Sequence, residues 1–298
     1  MAEFIYINGR HYRSSHALIS VNDAGFLYGD GLYETLRGYS GNLFAFDMHL
    51  ERLFSSMQQL GYNPDFNRED IKNATYKLLS ANGLLNADSY IKIIVTRNSY
   101  EKRFAFSYSI KPCLVIIART LTPYAAEFYE NGIDVFSTSI RRPAMGNDMY
   151  RHKLLSYFEN IYAKNEAYSN QAQEAFFITR DRAILEGASS NIFMVKDSKV
   201  FTTPLSQNIL PGITRKTVID ICRDYKIAIS EKRLHYYNLM EADEIFITSA
   251  IMEIMPVRKV DSHKISNAKM PGTVTKTISD IYKSKTSLQG LLKNYEVI

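Results

Sequence analysis

The sequence predicts an α+β fold in two domains, and three observations predict it. At 298 residues the chain is long for one core and comfortable for two. Strand-like and helix-like stretches mix along it without the strict strand–helix–strand rhythm of a parallel sheet. Periodicity lapses at ARTLTPYA (118–125), where a proline stands between two patterned regions. The linker is placed there, with a smaller α+β domain at residues 1–120 and a larger one at 121–298.

The elements follow in order. Residues 4–21 read as short strands and turns, and Asn8-Gly9 marks a hairpin because both residues tolerate positive φ. YGDGLYETLR (28–37) sets two glycines before a strand whose inward residues are expected to be Tyr33, Thr35 and Arg37. Between 44 and 61 a helix is expected. Leu50, Leu53, Phe54, Met57 and Leu60 form its apolar stripe, Asp47 can cap it and Gly61 stops it. A second helix is expected at 70–82, with β-rich runs at 90–97 and 113–118. In the second half, strands are expected at 133–140, 176–179, 191–196, 200–203 and 244–249. Helices are expected at 153–167, 212–225 and 273–283.

Composition excludes more than it selects. Hydrophobic (46%) and charged (22%) contents are those of an ordinary soluble domain. No apolar run can span a bilayer, and the first residues lack an apolar signal core. Cys113 and Cys222 have neither metal-ligand spacing nor a disulfide framework, which suits a reducing cytoplasm. The net charge of +5 is spread along the chain rather than concentrated as for nucleic acid, and it suits anionic small molecules.

LPGITR (210–215) stands directly before a helical run. The first turn of a helix presents unpaired N–H groups, Thr214 can add a hydroxyl, and glycine allows close approach, so this is a candidate anion site. Lys153 in RHKLLSYFENIYAKNEA is placed at the N-terminal edge of a helix beside Leu154, Leu155 and Phe158. Apolar surroundings and the positive helix end both favour the neutral amine, the nucleophile a Schiff base needs; a surface lysine lying along Leu154 is the plain alternative. LEGASSNIF (185–193) follows a carboxylate, Glu186, with small residues. A carboxylate beside a pyridine nitrogen keeps that nitrogen protonated and the ring an electron sink; the plain alternative is a polar loop. In HLERL (49–53), helical spacing puts His49, Arg52 and Ser56 on one side, and an arginine fork suits phosphate. Ser249 and Ala250, just past a strand, can expose backbone N–H groups to the same anion. A lysine nucleophile, a ring carboxylate and a phosphate cradle are the parts that pyridoxal phosphate requires.

In this order, YGDGLYETLR, HLERL, RHKLLSYFENIYAKNEA, LEGASSNIF, LPGITR and ADEIFITSA…PVRKVD resemble the fold-type IV pyridoxal-phosphate enzymes. That family includes branched-chain and D-amino acid aminotransferases and 4-amino-4-deoxychorismate lyases. The resemblance implies a two-domain, D-amino acid aminotransferase-like α+β fold, a cofactor between the domains, and a cytoplasmic homodimer. It makes Lys153 the Schiff-base lysine and proton shuttle, Glu186 the ring-nitrogen partner and Arg52 the phosphate arginine. Ile213 and Thr214 become the helix-start phosphate ligands, with Ser249 and Ala250 opposite them. Tyr157, or alternatively Tyr33, is the implied partner of the ring oxygen. Arg37, Lys102 and Arg103 are candidate substrate-carboxylate binders. The activity implied first is transamination of branched-chain L-amino acids with 2-oxoglutarate. Aminodeoxychorismate lyase and D-amino acid aminotransferase are the alternatives. Ile251 and Met252, standing where many branched-chain enzymes keep small residues, point toward the lyase branch; Glu253 and Tyr157 point back.

Overall fold

The computed structural model describes residues 3–100, 110–265 and 270–293. Two compact units result. Of the described residues, the first takes those up to Thr122, His152–Ser156 and 286–293; the second takes those within Pro123–Arg151 and Tyr157–Lys285. The first unit's first stretch ends two residues after the expected boundary at 120, and five residues around Lys153 group with that unit. Lys102 and Arg103 lie outside the described residues.

The first unit is an antiparallel sheet with two helices. Strands β1 (Phe4–Ile7) and β2 (Arg10–Arg13) are joined by Asn8 and Gly9, both at positive φ. That is the two-residue hairpin its sequence announces, because the mirror-image turn matches strand twist. Helix α1 (Ala24–Tyr28) is capped by the Asp23 carboxylate. Strands β3 (Gly31–Tyr39), β4 (Asn42–Leu43), β5 (Ser89–Thr96) and β6 (Cys113–Thr120) complete the order β2-β1-β6-β5-β3-β4. Helices α2 (Phe46–Gln59) and α3 (Arg68–Ala81) cover the sheet, α2 over β3 and α3 over β6. Asn67 and Asp70 cap α3 reciprocally. Asp47 does not cap α2; Ala45, in the left-handed region, holds that position, and Asp47 pairs with Lys72 instead.

Period-two alternation decides which side of β3 faces the helices. Leu32 and Leu36 are in the core with Leu50, Leu53, Ile91 and Ile93. Glu34 shares their parity and is 1% exposed, while Thr35 and Arg37 are half-buried. Tyr33, Thr35 and Arg37 thus lie on the sheet's other face, contrary to the sequence expectation. Each fully buried leucine contributes about 1.5–3 kcal/mol, enough for the two of them to set the register against the single acid.

The second unit is built on a larger mixed sheet. Its elements are α4 (Ala126–Asn131), β7 (Ile133–Arg141), α5 (Phe158–Ser169), β8 (Glu174–Ile178), β9 (Ala183–Gly187), β10 (Asn191–Lys196), β11 (Lys199–Thr202), α6 (Ile213–Asp224), β12 (Ile229–Glu231), β13 (Leu234–His235), α7 (Tyr236–Met240), β14 (Glu244–Ser249), β15 (Glu253–Val260) and β16 (His263–Lys264). Helix α8 (Thr273–Lys293) follows. The strand order is β12-β11-β10-β14-β15-β7-β8-β9-β13, with β16 on β15. Adjacent residues serve opposite faces: Phe176 and Ile184 belong to one apolar cluster, Phe177 and Leu185 to another. A sheet buried on both faces explains why β8 and β9 read as continuous apolar runs.

One helix differs from expectation in a way that matters. It starts at Phe158, not at Lys153. Leu154 bridges Leu32, Tyr33 N–H donates to Lys153 C=O at 2.9 Å and Leu155 N–H to Gly31 C=O at 2.8 Å. A backbone committed to the edge of β3 cannot also be helical. Leu154 packs on the first core, so the apolar pattern there served a strand-like segment. Lys153 accordingly does not stand at a helix N-terminus.

Candidate active site

The first unit gathers Lys153, Tyr33 and Arg52. Pairing of residues 153–155 with β3 places the Lys153 Nζ 4.5 Å from the Tyr33 ring centroid. On the core-facing side of β3, Glu34 accepts two hydrogen bonds from Arg52, Nε to Oε1 at 2.7 Å and Nη2 to Oε2 at 2.6 Å. His49 Nδ1 lies 2.8 Å from Glu34 Oε2. His49 and Arg52 are one turn apart on α2, as helical spacing requires. Ser56, on the same side, meets His152 Nδ1 at 3.0 Å. Burial opposes the Glu34 charge, but Arg52 and the hydrogen bonds from His49 and Arg52 outweigh it and hold the carboxyl at about 2. Burial lowers the His49 pKa despite Glu34, leaving the ring neutral, with Nδ1–H donating to the carboxylate.

The other face of β3 is cationic. Lys92 of β5 sits opposite Thr35, its Nζ 4.7 Å from the Tyr33 centroid. Burial first, and then Arg119, lower the Lys92 pKa. Arg119 lies over the Tyr90 ring at 4.6 Å, and Arg37 over the Tyr39 ring at 4.5 Å. Arg37 is also paired with Asp88 at 3.0 Å.

The second unit gathers Glu186, Tyr157 and the start of α6. Glu186, on β9, is 7% exposed. Its Oε2 accepts from Leu210 N–H at 3.0 Å and from Asn191 Nδ2 at 3.3 Å. The same Asn191 amide donates to Leu210 C=O at 3.0 Å. Asn191 thereby ties the ring carboxylate candidate to LPGITR. A Cβ on Gly212 would come within 2.0 Å of Asn191 Oδ1, which is why glycine stands there. Ile213 and Thr214 open α6, both buried, and no side chain caps the helix. The Thr248 hydroxyl, beside Ser249 and on the strand packed against α6, is buried without a hydrogen-bond partner. Ser249 ends β14 and its Oγ accepts from Met252 N–H; Ala250 follows in the turn. Tyr157 donates its hydroxyl to Ala188 C=O at 2.6 Å, and Asn160 donates to the same oxygen at 2.7 Å.

Sequence reasoning did not find Glu34, Asn191, Lys92 or Arg142, the last standing just after β7 with its Nη1 3.7 Å from Glu186 Oε1. Glu34 had a usable signal, an acid on the same parity as Leu32 and Leu36. Asn191 could have been read as the polar start of an apolar strand facing a glycine turn. Lys92 and Arg142 had none beyond residue type.

Residues 31–260 match the profile described as amino-transferase class IV. The chain belongs to the class IV aminotransferases. Relatives span the family's branches. A Methanocaldococcus jannaschii protein, assigned by name alone as a branched-chain-amino-acid aminotransferase, is 33% identical over 96% of this chain and 98% of its own. The Bacillus subtilis aminodeoxychorismate lyase is 30% identical, covering 94% of each chain. A Staphylococcus epidermidis D-alanine aminotransferase is 31% identical over 92% of this chain and 94% of its own. Among solved structures, an Escherichia coli branched-chain amino acid aminotransferase superposes with a TM-score of 0.90 at 27% identity, covering 95% and 94%. The two-domain α+β fold read from the sequence is the fold of this class. Class IV aminotransferases are pyridoxal-phosphate enzymes acting on amino and 2-oxo acids. The residues present fit that cofactor: an uncapped, buried helix start and an unpaired Thr248 hydroxyl can receive a phosphate, and the Glu186 carboxylate is fixed in place. No helix among the described residues is long and apolar enough to cross a membrane.

Proposed function

We propose that this class IV aminotransferase transfers the amino group of branched-chain L-amino acids to 2-oxoglutarate, releasing a branched 2-oxo acid and glutamate. The observation that carries the reading is a lysine held by the backbone of β3, its Nζ 4.5 Å from the Tyr33 ring centroid. Bound pyridoxal phosphate supplies an aldehyde that captures amines and a ring that accepts an electron pair. Lys153 offers the capturing amine and carries the proton taken from the substrate α-carbon. Arg52, aligned by Glu34, is the proposed phosphate arginine of the first unit; Ile213, Thr214, Ser249 and Ala250 are the proposed phosphate ligands of the second. Glu186 holds the ring nitrogen protonated, and Tyr157 orients the ring-oxygen side. Tyr33 lies on the substrate side, where Lys92 and Arg37 offer charge to a carboxylate. The branched-chain relatives support an aliphatic substrate.

A second reading is aminodeoxychorismate lyase, favoured by the cationic face of Lys92 and Arg119 and by the Bacillus subtilis relative. Both readings take a substrate with a carboxylate, but only the transaminase needs an acceptor. Loaded enzyme given L-leucine should form glutamate only when 2-oxoglutarate is present. Pyruvate released from aminodeoxychorismate without an acceptor would instead establish the lyase, and glutamate formed from 2-oxoglutarate with D-alanine but not L-leucine as donor would move the substrate to the D series.

The proposed assembly is a homodimer. On α5, Phe158 is 75% exposed and Ile161 59%; in the first unit Leu18 is 81% exposed and Phe26 72%. Such apolar surface calls for cover by a second copy. The proposed compartment is the cytoplasm, consistent with buried, unbridged Cys113 and Cys222.

A further inference from the structure

Arg142 follows β7 and is 6% exposed, a charge that the reaction as described does not use. Its guanidinium is packed in place, with Cζ 3.4 Å from the Phe177 ring centroid and 4.6 Å from that of Tyr150. Three polar groups lie around the fork. Nε donates to Glu159 Oε2 at 2.9 Å and Nη2 donates to Asn160 Oδ1 at 2.8 Å. Nη1 stands 3.7 Å from Glu186 Oε1.

That third distance is an ion pair but not a hydrogen bond, since charge-assisted bonds close to about 2.7–2.9 Å. Oε2 of Glu186 is already fixed by Leu210 and Asn191. Arg142 therefore acts on Oε1 through its field rather than by capturing it. In a buried site this field is strong, because little water screens it. The Asn160 contact reaches further. Asn160 donates to Ala188 C=O, the acceptor of the Tyr157 hydroxyl, so one arginine fixes the start of α5 and the loop after Glu186 together.

We propose that Arg142 is a positioning residue that keeps Glu186 anionic and in register with Tyr157. The inference rests on the reading of Glu186 as the ring-nitrogen partner. Without Arg142 the Glu186 carboxyl would take a proton more readily, and the bound ring would lose positive charge. Groups attached to that ring then become more basic.

The test follows the pH midpoint of the visible absorption band in the pyridoxal-phosphate-loaded protein, with cofactor affinity measured alongside. Glu186→Gln should move the midpoint upward, and Arg142→Met should move it the same way by about one pH unit, a tenfold change in protonation. Arg142→Lys should recover most of the midpoint, because charge is kept, but not all the affinity, because the fork is lost. In the Glu186→Gln background, Arg142→Met should add little, since the carboxylate it acts on is gone. A purely structural arginine would weaken folding without moving the midpoint. Circular dichroism and Tm establish folding, and Arg142→Gln carries the same expectation should Arg142→Met not fold. A midpoint that moves with Glu186→Gln but not with the arginine variants overturns the proposal alone. A midpoint unmoved by Glu186→Gln overturns the reading of Glu186 and the proposal with it.

Discussion

Glu34 shows how one buried charge is held by its partners. A lone buried carboxylate would cost several kcal/mol, and here the Arg52 fork and the His49 ring offset it. Glu34→Gln leaves Arg52 without its counter-charge and should destabilise by about 3–5 kcal/mol in urea unfolding at pH 7. The pH dependence follows from the sign of the shift. A carboxyl lowered from 4.5 to about 2 contributes stability above pH 4.5 and loses it as pH falls through 2. His49, lowered from 6.5, adds a loss in the same direction, because the unfolded ring takes a proton first as pH falls below 6.5. Stability should therefore decline from about pH 6.5 downward, and the portion between 4.5 and 2 should flatten in Glu34→Gln. An unchanged acid slope in the variant would remove Glu34 from this account. Among the proposed site residues, Lys153, Arg52, Glu186 and LPGITR stand out in the sequence because their order forms a motif. Glu34 and Asn191 carried only a local signal, parity with two leucines and the head of an apolar strand, while their meaning lies in partners 18 and 19 positions away.

At the level of elements, Asn8-Gly9 was readable because turn chemistry is local, and β10 and β14 because an apolar run has clear ends. The segment at Lys153 was not. Its leucines pair with β3, a strand far away in sequence, and local periodicity carries no record of that. The face of β3 was misread for a related reason: a tyrosine and a glutamate compete for the core, and leucines two residues either side of the acid decide. Gly31 is where strand and lysine segment meet most closely. A Cβ there would lie 2.4 Å from Leu155 Cδ1 and 3.0 Å from Val95 C=O. Gly31→Ala should cost about 1–3 kcal/mol through overpacking and weaken cofactor loading more than it lowers Tm. Equal loading in wild type and variant would show that the lysine segment tolerates displacement.

At the scale of the whole molecule, the exposed apolar groups of each unit are the main feature that a single copy leaves unsatisfied. Multi-angle light scattering should give twice the 34.2 kDa chain mass. Phe158→Glu with Ile161→Glu should shift the population toward monomer while leaving far-UV circular dichroism unchanged, since both side chains are exposed in the isolated chain. A monomeric wild type would leave that surface for another partner. The α+β class and the two-unit organisation were legible in element order, whereas the return of His152–Ser156 to the first unit was not, being a tertiary choice made by backbone hydrogen bonds.

The measurement that tests the central claim most directly is the absorption spectrum of pyridoxal-phosphate-loaded protein titrated with L-leucine in the absence of any oxo acid. The account predicts that L-leucine bleaches the visible band, that 2-oxoglutarate restores it, and that folded Lys153→Ala shows no such cycle. A band present in the wild type but unmoved by L-leucine, or one that responds to D-alanine alone, would contradict it.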